Sequence, residues 1–145
     1  MGILAPVGRF LFSLLFIMSG MNHFMQYEAM AGYARSSGVP SPEAAVLVSG
    51  AVLVLGGVCV LLGAFARIGA LLLAGFLVVS ALMMHRFWGV ADAMQAQSQL
   101  THFFKNLALA GGALLIVYFG PGPYSLGRRA ERFASRIQIP LNRRG

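Results

Sequence analysis

The sequence predicts an all-α membrane protein: a bundle of four transmembrane helices, N- and C-termini cytoplasmic, with a short interfacial helix in the first outer loop. Three observations predict it. Of 145 residues, 58% are hydrophobic and only 10% charged, and the mean hydropathy is +0.76, beyond the usual balance of a soluble domain. The apolar residues fall into runs at about 3–23, 45–65, 68–84 and 103–120, each near the roughly 20 residues that cross the hydrocarbon core. The basic residues, finally, are shared unequally between the two sets of loops.

The first run is interrupted by Arg9, which is expected to snorkel to the near interface. It has no Lys/Arg-rich leader and no A-x-A site after Ser19-Gly20-Met21-Asn22-His23, so it reads as a retained first span. Residues 27–36 contain few breakers and end at Gly38-Val39-Pro40, the pattern of a short helix stopped by glycine and a following proline. The second run carries no charge, and Arg67 interrupts a very short connection to the third. The fourth stops at Gly120-Pro121-Gly122-Pro123. None of the runs alternates apolar with polar residues, which disfavours a membrane β-barrel.

An even number of spans puts both termini on one side. That side carries Arg9, Arg67 and the six tail arginines Arg128, Arg129, Arg132, Arg136, Arg143 and Arg144, against Arg35, Arg86 and Lys105 on the other. The positive-inside rule therefore places the termini in the cytoplasm and residues 26–44 and 86–102 outside. Residues 1–126 form the transmembrane domain and 127–145 a basic cytoplasmic tail suited to anionic lipid. The net charge of +7 is concentrated at one end, whereas a nucleic-acid footprint needs cations spread over a folded surface. The single Cys59 excludes an intrachain disulfide and reads as a small buried hydrophobe.

In the second span, Ser49, Gly56 and Gly63 recur every seven residues, and Gly50, Gly57 and Ala64 do the same one place along. Such a smooth face lets another helix approach closely in lipid, where association depends on packing. Ala66, Ala70 and Ala74 on the third span, and Ala108 with Gly112 on the fourth, are the expected counterparts. Phe24, Tyr27, Phe87, Trp88, Phe103 and Phe104 form an expected outer aromatic belt.

The order of motifs resembles the DoxX family of small bacterial membrane proteins. The matching stretches are Gly8-Arg9-Phe10-Leu11 with Phe16 and Ser19-Gly20, Met30-Ala31-Gly32-Tyr33-Ala34 with Gly38-Val39-Pro40, and Gly56-Gly57 before Leu61-Leu62-Gly63. They continue with His85-Arg86-Phe87-Trp88, Phe104-Lys105-Asn106-Leu107-Ala108 with Gly111-Gly112, and Gly120-Pro121-Gly122 with Tyr124-Ser125-Leu126. The resemblance implies a four-helix inner-membrane protein. Its relatives include a membrane component of thiosulfate:quinone oxidoreductase and partners of redox or stress-defence enzymes. The family pattern often continues with an acidic residue after Tyr-Ser-Leu; here Gly127-Arg128-Arg129 follows, and the basic tail is particular to this chain.

Polar residues at the edge of a span are costly, which makes them the place to look for function. Asn22 and His23 end the first span, His85 and Arg86 the third, and His102, Lys105 and Asn106 begin the fourth, all on the outer side. A quinone headgroup has two carbonyl acceptors and gains negative charge there on reduction, so imidazole, amide and ammonium donors suit it. The bland reading is that these residues mark the membrane boundary and bond one another. A second constellation joins thioethers to imidazoles: Met18, Met21, Met25 and Met84 with His23 and His85 form a soft set suited to Cu(I), although methionine is also an ordinary core filler.

No phosphate loop, HExxH or GxSxG is present, and the acids Glu28, Glu43, Asp92 and Glu131 lie in loops or tail, which argues against an acidic proton relay. The sequence thus reads as a DoxX-like inner-membrane subunit that anchors or completes a redox system and takes quinone at an outer-facing polar pocket. Any activity would belong to a quinone-linked oxidoreductase of which this chain is a part, with a redox protein as partner. The competing reading is a structural subunit that recruits a soluble partner or pairs with a second copy of itself.

Overall fold

The computed structural model describes residues 2–127; the tail arginines and residues 128–145 lie outside the described residues. Among the described residues five helices follow in order: α1 (Leu4–Met25), α2 (Tyr27–Ser36), α3 (Pro42–Leu62), α4 (Ala66–Met84) and α5 (Ala93–Phe119). No strand occurs among the described residues. The helices α1, α3, α4 and α5 are long and apolar enough to cross a membrane, and they correspond to the four expected spans.

Local chemistry explains where the helices stop. After α2 the Val39 amide donates to the Ala34 carbonyl at 3.0 Å and the Gly38 amide to Arg35 at 3.1 Å, with Gly38 at φ +76°. This is the six-to-one and five-to-two closure that a left-handed glycine permits. Helix α3 begins on Pro42, whose missing amide hydrogen would have been unpaired in a first turn anyway. The fourth span starts ten residues before the expected position, because Asp92 caps α5 by accepting the Gln95 amide at 2.8 Å. The added turns, residues 93–102, are too polar to register as part of an apolar run.

The core joins Phe16 of α1, Leu53 and Val60 of α3, Ala70, Leu73, Ala74 and Leu77 of α4, and Ala110 and Ala113 of α5. Small residues set the spacing, and the smooth face of α3 serves two neighbours. A Cβ at Gly57 would stand 2.8 Å from Cγ1 of Ile17 on α1, and one at Gly50 would stand 3.0 Å from Cβ of His23. Gly56 instead faces α4, 2.9 Å from Cγ of Leu73. Gly20 and Gly69 complete these contacts, each bringing a would-be Cβ within 2.8 Å of an α3 carbonyl, Gly50 and Gly56 respectively.

Three packing expectations are corrected. Gly63 lies beyond α3 in the left-handed region at φ +69° and packs on Ser125 rather than on a helix. Ser49 is half-buried, bonded to its own helix at Val46 O, and lines a cavity between α3 and α4. Ala108 is exposed, and Ala110 and Ala113 carry the inner face of α5.

Arg9 does not snorkel. It is 6% exposed, and its guanidinium donates to the carbonyls of Pro121, Pro123 (3.3 Å) and Tyr124 (2.8 Å). These carbonyls lie on the Gly120–Gly122 turn and the segment after it, where Gly120 and Gly122 have φ of +78° and +72°. The buried arginine thereby straps the segment after α5 across the end of the bundle.

Candidate functional site

The opposite end, where α1 and α4 finish and α2 crosses, contains the polar cluster. α2 is held there by its packing of Ala31 and Ala34 on Val46 of α3, and by Tyr33, whose hydroxyl donates to the Met84 carbonyl at 3.1 Å. Arg35 pairs with Glu43 across the α2–α3 connection. Beneath α2, a cavity of about 240 Å³ is lined by His23 of α1, Ser80 of α4, His85, and Lys105 and Asn106 of α5, with Phe16, Phe76 and Leu109 among its apolar walls.

Each polar group has a fixed role. His23 is 8% exposed, and its Nδ1 lies 2.8 Å from Ser19 O. A carbonyl only accepts, so Nδ1 carries the hydrogen, which leaves Nε2 as the nitrogen able to accept in a neutral imidazole. His85, just past α4, repeats this arrangement, with Nδ1 3.0 Å from Oε1 of Gln99. Its ring stacks on His102 at a centroid distance of 5.1 Å. Burial lowers the His85 pKa from its ordinary 6.5, and the charges of His102 and Lys105 act in the same direction, against the Gln99 hydrogen bond. Asn106 is 6% exposed and donates from Nδ2 to Ser80 Oγ at 3.4 Å. Lys105 Nζ lies 3.3 Å from His102 Nδ1. The cavity therefore offers donors from Lys105 and Asn106 and acceptors from two imidazoles.

The structure thus brings together His23, His85, Lys105 and Asn106, with His102 behind His85. Asn22 is exposed on the other side of α1. Arg86 points away to donate to Ser37 O at 3.3 Å and Met83 O at 3.4 Å. The soft set is divided: Met18, Met21 and Met25 lie on the exposed face of α1, while His23, Met84 and His85 line the cavity. No group of three or more His, Cys, Asp or Glu residues able to hold a metal occurs among the described residues. Sequence reasoning missed Ser80 and Gln99. Of the expected belt, Phe87, Trp88, Phe103 and Phe104 pack edge-on against one another at 5.1–5.9 Å beside this site.

Comparison with known proteins gives the cluster its setting. No solved structure matches the chain. Inner membrane protein YphA of Escherichia coli (strain K12) is 29% identical over 127 residues, covering 88% of this chain and 90% of the relative. A family model described as DoxX matches residues 4–86, more than half of the chain. With its four membrane-length helices, the chain is a multi-pass inner-membrane protein, and it belongs to the DoxX family.

Proposed function

We propose that this protein is the membrane subunit of a quinone-linked redox system and that the cavity under α2 holds the headgroup of a quinone–quinol couple. The observation that carries the reading is the convergence of His23, His85, Lys105 and Asn106 on one cavity of about 240 Å³. A quinone presents two carbonyl acceptors, for which the Lys105 ammonium and Asn106 amide are donors. A quinol presents two hydroxyl hydrogens, for which the imidazole Nε2 lone pairs are acceptors. A site that must hold both redox forms needs both kinds of group, because an unpaired polar atom in a poorly hydrated site is costly.

The positive-inside count supports cytoplasmic termini, so this cavity would lie toward the outer face and the Arg9 strap toward the cytoplasm. The basic tail favours a second, compatible role in recruiting anionic lipid or a soluble redox partner on that side. The direct test is extraction of the purified, detergent-solubilised protein with organic solvent, followed by mass spectrometry. The expected result is a quinone at a molar ratio near that of the protein, depleted in a His23→Ala, His85→Ala variant. An extract holding phospholipid alone, from protein purified out of quinone-containing membranes, contradicts the reading.

A further inference from the structure

A second cavity, of about 350 Å³, lies between α3 and α4 under α2 and is almost wholly apolar, with Val48, Val52, Gly75 and Val79 among its walls. The two cavities share Met30, Tyr33, Phe76, Ser80 and Met84, so the same side chains border the polar chamber and the apolar one. Val48 and Val79 are 63% and 54% exposed, which opens the apolar cavity onto the outer surface of the bundle. Farther along, α3 and α4 close tightly, where a Cβ on Gly69 would stand 2.8 Å from Gly56 O. The helices thus meet at one end and part at the other.

Gly75 fits this arrangement and no packing requirement. It lies inside α4, where glycine is a poor helix former, and a Cβ there would have no heavy atom within 4 Å. Gly56, Gly57 and Gly69 each admit a neighbouring helix; Gly75 admits nothing in the protein and leaves the cavity floor smooth.

We propose that this groove holds the long apolar tail of the molecule whose head occupies the polar cavity, and that the ligand enters sideways from the bilayer between α3 and α4. The inference rests on the quinone-headgroup reading and adds the ligand's class: a lipid-soluble quinone with a chain, not a free water-soluble ring. A polar chamber lined by donors and acceptors, bordered by the same side chains as an apolar groove open to the bundle surface, matches an amphipathic molecule better than two separate ligands. The combined size falls within the range of roughly 300–1,000 Å³ usual for small-molecule sites.

The test uses two probes, a decyl-substituted benzoquinone and the same ring without the chain, titrated at one detergent concentration into wild type, Gly75→Phe, Val79→Trp and His85→Ala. Wild type should bind the decyl compound at least tenfold more tightly than the ring. Gly75→Phe and Val79→Trp fill the groove from two positions and should lose that preference, while binding the ring as wild type does and melting at the wild-type temperature. His85→Ala should weaken both probes alike. Groove variants that bind the decyl probe as wild type does, or a wild type indifferent to the chain, overturn the tail site and leave the headgroup site standing. Release of co-purified phospholipid by Gly75→Phe, with no change in either probe, assigns the groove to a structural lipid and also overturns it. If wild type binds neither probe saturably, the headgroup reading fails and the tail site falls with it.

Discussion

The His85 imidazole borders the cavity just past the end of α4. Burial lowers its pKa from 6.5 first, and the neighbouring charges of His102 and Lys105 add to that. Because the folded value lies below the unfolded one, its contribution to stability is complete above about 6.5 and is lost as pH falls from there toward the folded value. Lys105→Gln removes one of the lowering charges, so His85 should titrate closer to 6.5 when followed by NMR of labelled histidine in micelles; a further downward movement would contradict the assignment. Arg9 offers a second test at this scale. Arg9→Met removes the donors to Pro121, Pro123 and Tyr124, a loss of roughly 1.5–3 kcal/mol by the usual worth of charge-assisted hydrogen bonds. Faster amide exchange at Tyr124 and Ser125 is the expected sign, and wild-type protection there would show that other contacts hold the strap. The polar cluster was legible in the sequence because His23, His85, Lys105 and Asn106 interrupt or border apolar runs, where polarity is costly. The Arg9 partners were not, since they lie 112 or more residues downstream and no local pattern links them.

Among the elements, α3 holds the bundle together by presenting glycine to two neighbours. Gly57→Leu should force α1 away, since even a Cβ would stand 2.8 Å from Ile17. Overpacking of this kind costs about 1–3 kcal/mol, and the detergent-solubilised protein should melt at a lower temperature. Gly111→Leu is the matched control, with no heavy atom within 4 Å of its would-be Cβ, and should leave melting unchanged. Equal effects from the two variants would mean that glycine content, not close approach, governs stability. The seven-residue recurrence on α3 made its packing role readable, and the breakers after residue 36 delimited α2. The division of that face between α1 and α4 was not readable, because it depends on which helices flank α3. The start of α5 escaped for a different reason: the capped turns before Phe103 project polar side chains, and hydropathy reports the apolar stretch rather than the helix.

For the whole molecule, the charge asymmetry predicts the direction of insertion, and the cavity carries the proposed function. In a background with Cys59 replaced by serine, a cysteine at Ser37 should react with an impermeant thiol reagent from the outer side of spheroplasts, and one at Ser135 should not. The reverse labelling would invert the molecule and put the cavity at the cytoplasmic face. The cavity under α2 is proposed to recognise a quinone headgroup, and titration of a quinone analogue into wild type and a His85→Ala, Lys105→Ala double variant in detergent measures that recognition. Losing two polar partners at about 1–3 kcal/mol each should weaken binding at least tenfold, one decade being about 1.4 kcal/mol, in a protein that still inserts and melts cooperatively; an affinity equal to wild type in that variant would contradict the claim.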